Sequence, residues 1–211
     1  MTQRSLIALE GGQSAPRALL DRAADGDEAA VRELYREHVD RIYRCAARIL
    51  GPYDADVEDV VQQTFLGALE GAGSFDGRSK VSTWLVGIAS KKALDAVRAR
   101  SRRGRWSKIT ELVGLGRHAP APDARHDSLS EAQRALRELS VEQRTVFVLH
   151  EVEGYTLKEI QEMTDTGIST LHARLKSARK RIDEHLRANA EEHGARTSEP
   201  GAPVGTEGGS R

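Results

Sequence analysis

The sequence predicts an all-α protein of two small helical domains joined by a flexible linker, and three observations carry that expectation. Apolar residues recur at three- and four-residue steps through most of the chain, as in helices with one buried face. No run sustains the apolar-polar alternation of a half-buried strand with turn pairs between. Between residues 104 and 127 the pattern decays into a stretch rich in Gly, Pro, Ala and His, which reads as the linker. At 211 residues with 38% hydrophobic content, the chain can bury two modest cores.

Taken in order, residues 1–24 are mixed in character and read as a flexible arm containing one helical turn near Ala18 to Arg22. From Asp27 to Leu50, the residues Val31, Leu34, Tyr35, His38, Ile42, Cys45, Ala46 and Ile49 form a stripe of helical period, stopped by Gly51-Pro52. His38 fits a packed or edge histidine better than a ligand, because no companion His or Cys has metal-site spacing. A second helix over 53–70 turns Val57, Val60, Val61, Thr64, Phe65 and Ala68 inward and begins with Asp54, Asp56, Glu58 and Asp59. The helix dipole explains acids in a first turn in part. Four of them exceed that need and suggest an acidic docking face.

The Gly-punctuated loop 71–79 carries Phe75 and leads into a basic helix. Between Arg78 and Lys108 ten Lys or Arg residues face one acid, Asp95, a local charge of +9 in a chain whose total is zero. Val81, Trp84, Leu85, Ile88, Ala89, Ala93, Ala96 and Val97 mark its buried side. A merely solvated face interleaves Glu with its cations; this one does not, and so reads as a nucleic-acid footprint. An aromatic in the adjoining loop could hold an unstacked base.

The second domain is expected over 128–188. Leu129, Ala132, Leu136 and Leu139 mark one helix, and Val141 to Glu153 another. Tyr155-Thr156-Leu157-Lys158-Glu159-Ile160 has the form of a capping box with a hydrophobic staple. A turn over 164–167 then precedes a basic helix over 168–188, in which Leu171, Leu175, Ala178 and Ile182 pack inward. Short helix, turn and longer basic helix match a helix-turn-helix, though on spacing alone a plain αα-hairpin fits equally well. The tail 189–211 is rich in Gly, Pro, Glu and Ser and reads as disordered.

Charge is segregated: 21–59 carries a net −5 and 151–165 a net −4, against the basic stretches that follow each. Such alternation implies two kinds of partner surface. The single cysteine, Cys45, cannot form an internal disulfide and suits a reducing cytosol. The longest apolar runs fall short of the ~18 residues of a membrane span, and the N-terminus lacks a signal-peptide pattern, so a cytoplasmic protein without membrane insertion is expected. No Ser-His-Asp set, His-Glu-x-x-His, paired Cys or phosphate-cradling Gly loop occurs, so neither enzyme chemistry nor a cofactor is expected.

Two segments resemble a known family. DADVEDVVQQTFLGALE with FDGRSKVSTWLVGIASKKALDAVRARSRR is similar to region 2 of the bacterial extracytoplasmic-function (ECF) sigma factors of RNA polymerase. LRELSVEQRTVFVLHEVEGYTLKEIQEMTDTGISTLHARLKSARKRI is similar to their region 4. The resemblance spans about residues 25–187, with region 2 over 25–103. It implies binding to core RNA polymerase through Asp56, Glu58, Asp59, Gln62, Gln63 and Phe65. It assigns minus-10 recognition and melting to Phe75, Asp76, Arg78, Ser79, Lys80, Trp84, Lys91, Lys92, Arg98, Arg100 and Arg102. Minus-35 promoter DNA falls to Thr170, His172, Ala173, Arg174, Lys176, Ser177 and Lys180. An anti-sigma factor is also implied, with no residue marking its site. The chain has Asp165, Ser169, Gln161 and Ala173 where the family usually has Gly, Gly, Ala and Ser. Short side chains at 173 and 177 imply weak direct base readout. The alternative is a helix-turn-helix regulator that binds operator DNA without polymerase.

Overall fold

A computed structural model describes residues 15–112 and 130–197, with side chains placed outside 104–112 and 192–197. Every regular element among them is helical. The order is α1 (15–24), α2 (Glu28–Leu50), α3 (Asp56–Glu70), a 3-10 turn (Ala72–Ser74), α4 (Val81–Leu112), α5 (Glu131–Arg137), α6 (Val141–Phe147) running into a π turn (Val148–Val152), α7 (Leu157–Thr164) and α8 (Ile168–Thr197).

Local chemistry sets the helix ends. Asp27 caps α2 by accepting from the backbone N–H groups of Ala29 and Ala30. Gly51, at φ 126°, ends it in a conformation that only glycine adopts readily. Capping boxes open α5, α6 and α7, through Ser130 with Gln133, Ser140 with Gln143, and the expected Thr156 with Glu159. Helix α3 starts two residues after Asp54, whose side chain accepts from the Asp56 amide at 3.0 Å.

The first domain is a bundle of α2, α3 and α4. Val57, Val60, Val61, Thr64, Phe65 and Ala68 of α3 are all buried, as the periodicity predicts. Helix α1 belongs to this core: Leu20 is fully buried and Ala23 nearly so. The expected arm therefore begins the domain about ten residues early, because Leu19, Leu20 and Ala23 give one turn enough apolar surface to dock. Residues 1–14 lie outside the described part.

Two further boundaries differ from expectation. Helix α4 runs on through Leu112, nine residues into the stretch read as linker, where no proline interrupts it. Helix α8 continues to Thr197, because residues 189–197 include Ala, Glu and Arg, good helix formers that outweigh one glycine. The remaining linker and tail positions, 113–127 and 198–211, fall outside the described residues.

The second domain packs α5, α6 and α7 on α8 around Val146, Leu149, Ile160, Leu171 and Leu175. Its apolar core is continuous with that of the first domain.

Candidate nucleic-acid interface

The acidic start of α3 divides into two parts. Glu58, Asp59 and Gln62 are exposed, next to the half-exposed Leu66 and to Tyr35, whose ring lies 4.9 Å from that of Phe65. Phe65 itself is 8% exposed and supports this face from beneath, while Gln63 is only partly accessible. Asp54 and Asp56 point elsewhere. Arg100 of α4 reaches Asp54 Oδ2 at 2.9 Å and Asp56 Oδ2 at 3.3 Å, bracing the far end of α4 against the start of α3. One cation assigned to DNA and one acid assigned to polymerase are thus each other's partners.

The loop before α4 is held from inside. Phe75 is 4% exposed and packs against Trp84, with ring centroids 5.2 Å apart. Arg17 of α1 lies over the Phe75 ring at 5.5 Å and donates to the Phe75 carbonyl. Asp76 accepts from the Arg78 amide at 3.0 Å and pairs with its guanidinium. Those two donors hold the Asp76 carboxyl below its usual range, so it is an anion at neutral pH. Phe75 therefore anchors the loop rather than offering a free ring. Trp84, half-buried, lines the adjoining groove together with Phe75, Tyr155, Arg78, Ser79 and Lys80.

Along α4, Lys91, Arg98, Arg100, Arg102 and Arg103 are exposed, and Lys92 is partly so beside Gly67. Arg98 pairs loosely with Asp95 at 3.5 Å. Lys91 Nζ meets Asp165 Oδ2, from the turn before α8, at 2.5 Å.

In the second domain, α7 and α8 are separated by the turn 165–167. Asp165 there is the one non-glycine residue with positive φ among those described, at φ 52° and ψ 30°. Asp tolerates the left-handed region better than most residues, which explains how it stands in this turn. On α8, Thr170, His172, Ala173, Lys176 and Lys180 are exposed together, with Arg174 at their edge. Ser177 turns away and accepts from Gln143 Nε2 of α6 at 2.9 Å. The sequence missed this because Ser177 lies one turn beyond Ala173 and only the position of α6 decides its direction.

No described helix is long and apolar enough to cross a membrane, and no cluster of three metal-ligating side chains occurs among the described residues. Cys45 is fully buried, and burial chiefly pushes its thiol up to about 12, with the charge of Glu153 adding to the effect.

Comparison with known proteins identifies the family. Residues 34–103 match the Sigma-70 region 2 family and residues 129–182 the Sigma-70, region 4 family. The ECF RNA polymerase sigma factor SigM of Mycobacterium tuberculosis is 32% identical over 166 residues, covering 78% of this chain and 81% of that protein. SigE of Mycolicibacterium smegmatis is 31% identical over 180 residues, covering 80% of this chain and 67% of that one. Among solved structures, CnrH in complex with the cytosolic domain of CnrY superposes with a TM-score of 0.54 at 25% identity, covering 83% of this chain and 99% of that chain. Two sigma regions in one chain, in the order and architecture of these relatives, leave one assignment: this protein belongs to the ECF RNA polymerase sigma factor family.

Proposed function

We propose that the chain binds core RNA polymerase through the exposed side of α3 and, once bound, directs it to promoters by contacts from α4 and α8. The observation that carries this reading is the division of charge within the first domain. Glu58, Asp59 and Gln62 stand exposed on α3, while an adjacent helix of the same bundle exposes Lys91, Arg98, Arg102 and Arg103. A protein that only binds DNA gains nothing from an exposed acidic face near its basic one, since phosphate repels it. A subunit that must hold both polymerase and DNA needs both.

The chain supplies address and strand opening; the polymerase supplies catalysis. Cations of α4 position the assembly on phosphates without reading sequence, and base contacts specify the site. Opening costs a few kcal/mol per unstacked base. Trp84, half-buried in the lining of the groove that Arg78 and Lys80 share, is the side chain we assign to such a base, with Phe75 packed against it and fixing the loop. The face of α8 around Thr170, His172 and Lys176 enters the major groove at minus-35. With Ser177 turned inward and Ala173 short, its contacts are mainly to phosphate, so more promoter choice rests on the first domain. The protein works where RNA polymerase works, in the cell interior, and an anti-sigma protein belongs to the same reading as its regulator.

The test is co-purification with core polymerase. Glu58→Lys with Asp59→Lys should abolish it while leaving helix content unchanged, and retention of full binding would refute the docking face. A regulator acting without polymerase would instead bind specific duplex DNA alone, which this reading excludes.

A further inference from the structure

Helix α1 lies outside the residues that match the Sigma-70 region 2 family, which begin at 34, yet it reaches the loop that precedes α4. Arg17 makes that reach. Its Nε donates to Asp21 one turn on, 2.9 Å from each carboxylate oxygen, which fixes the plane of the guanidinium. Its Nη1 then donates to the carbonyl of Phe75, 58 residues away in the chain, and its Cζ lies over the Phe75 ring, 5.5 Å from the centroid. One side chain thus holds both the backbone and the ring of the same residue.

Phe75 is where the chain leaves the 3-10 turn, at φ −73° and ψ 108°, with its amide donating to the Ala72 carbonyl at 3.1 Å. Beyond it come only Asp76, Gly77 at φ 75°, Arg78 and Ser79 before the Lys80 carbonyl accepts from Thr83 and Trp84 and starts α4. The course of that short loop is therefore set at its two ends. At the first end the Phe75 ring packs 5.2 Å from the indole of Trp84, so Arg17, Phe75 and Trp84 form one series, running from a helix outside the family match to the side chain assigned to the captured base. Folding does not need this arrangement. Leu20 and Ala23 already seat α1 in the core, and a partly exposed ion pair such as that of Arg17 with Asp21 adds little to stability.

We propose that Arg17, held by Asp21, is a positioning residue for promoter opening: it acts through Phe75 on the 75–80 loop and on Trp84, and so sets which unstacked minus-10 base is accepted and how readily it is captured. The inference rests on the sigma-factor reading and extends the base-capturing site to an element that precedes it in the chain. Capture of an unstacked base favours a site already shaped for it, because the cost of ordering the loop at that moment would be subtracted from the energy that capture returns. A guanidinium suits the task and an ammonium does not, since only the planar fork keeps a carboxylate on one edge and a carbonyl on another while lying over a ring.

The experiment forms holoenzyme from core polymerase and the full-length chain. It reads permanganate reactivity of minus-10 thymines on a promoter that the wild-type holoenzyme uses, and run-off transcription on a set of that promoter with every base at each minus-10 position. Arg17→Ala should lower opening about tenfold and flatten the base preference at one of those positions, with co-purification with core polymerase unchanged. Arg17→Lys, which keeps the charge, should restore little of either. Asp21→Ala should lose less than Arg17→Ala and add nothing to it in the double variant, the signature of action through one partner. Denaturant midpoints should stay near wild type, because Leu20 keeps α1 docked. A midpoint lowered as far as by Leu20→Ala would make the loss one of folding and overturn the proposal. Full opening by Arg17→Lys, or additive losses in the double variant, would overturn it as well. A wild-type chain that opens no promoter with core polymerase overturns the sigma reading itself, whereas opening and base preference equal to wild type in Arg17→Ala overturn this inference alone.

Discussion

The two basic helices look alike in sequence and differ in what surrounds them. On α4, Lys91, Arg98 and Arg100 each have a carboxylate partner, supplied by Asp165, Asp95, and Asp54 with Asp56. On α8, His172 and Lys176 form no ion pair with a described residue, and their face is open. Arg179 and Lys180 of α8 do have carboxylate partners, Glu151 at 2.6 Å and Glu184 at 3.6 Å, so a count of Lys and Arg overstates what either helix offers DNA, and the open cations of α8 are those of its first turns. Exposed pairs are worth only ~0–1 kcal/mol each, so DNA phosphate can replace the partners of Lys91 and Arg98 at little cost. Arg100 is different, since it holds a largely buried Asp54 and ties α4 to α3.

The largest effects should come from that bracing and from the core. Leu20→Ala empties a fully buried site under α1 and should cost about 2–5 kcal/mol of stability, read by denaturant unfolding. A change within about ±0.5 kcal/mol would mean that α1 does not belong to the bundle. Next, Lys91, Arg98 and Arg102 changed together to Ala should lower the salt dependence of holoenzyme binding by about three phosphate contacts, whereas Lys176→Ala should lower it by about one. An unchanged slope in either variant would remove that helix from the phosphate contacts.

Much of this was legible in the sequence, and the misses have a common cause. The inward stripe of α3, the capping box at Thr156 and the stop at Gly51 depend on residues a few positions apart, so pattern reveals them. The burial of Phe75, the pairing of Asp56 with Arg100 and the inward turn of Ser177 depend on segments 34 to 58 residues away. No local periodicity carries that information. The acidic 151–165 segment was visible as a charge run, but its partner surface on α2 and α4 was not.

Smaller effects sharpen the picture. Ser177→Ala removes one hydrogen bond to α6 and should cost about 0.5–1.5 kcal/mol of stability without changing promoter choice, whereas His172→Ala should change promoter preference on a minus-35 library. Cys45 gives a pH signature. Its thiol is raised from an ordinary 9.0 to about 12 in the folded protein. The folded state therefore keeps its proton where the unfolded state loses it, so this contribution to stability is complete below pH 9 and declines as pH rises from there toward 12. Alkylation of Cys45 at about pH 8 should be slow in the native protein and fast in denaturant; rapid native labelling would contradict its burial.

Run-off transcription with purified core polymerase on a genomic promoter library tests the central claim most directly. Addition of this chain should produce discrete new transcripts whose templates share minus-10 and minus-35 elements, with no such transcripts from core alone. Specific duplex binding by the isolated chain, with no transcript in the presence of core polymerase, would contradict the account.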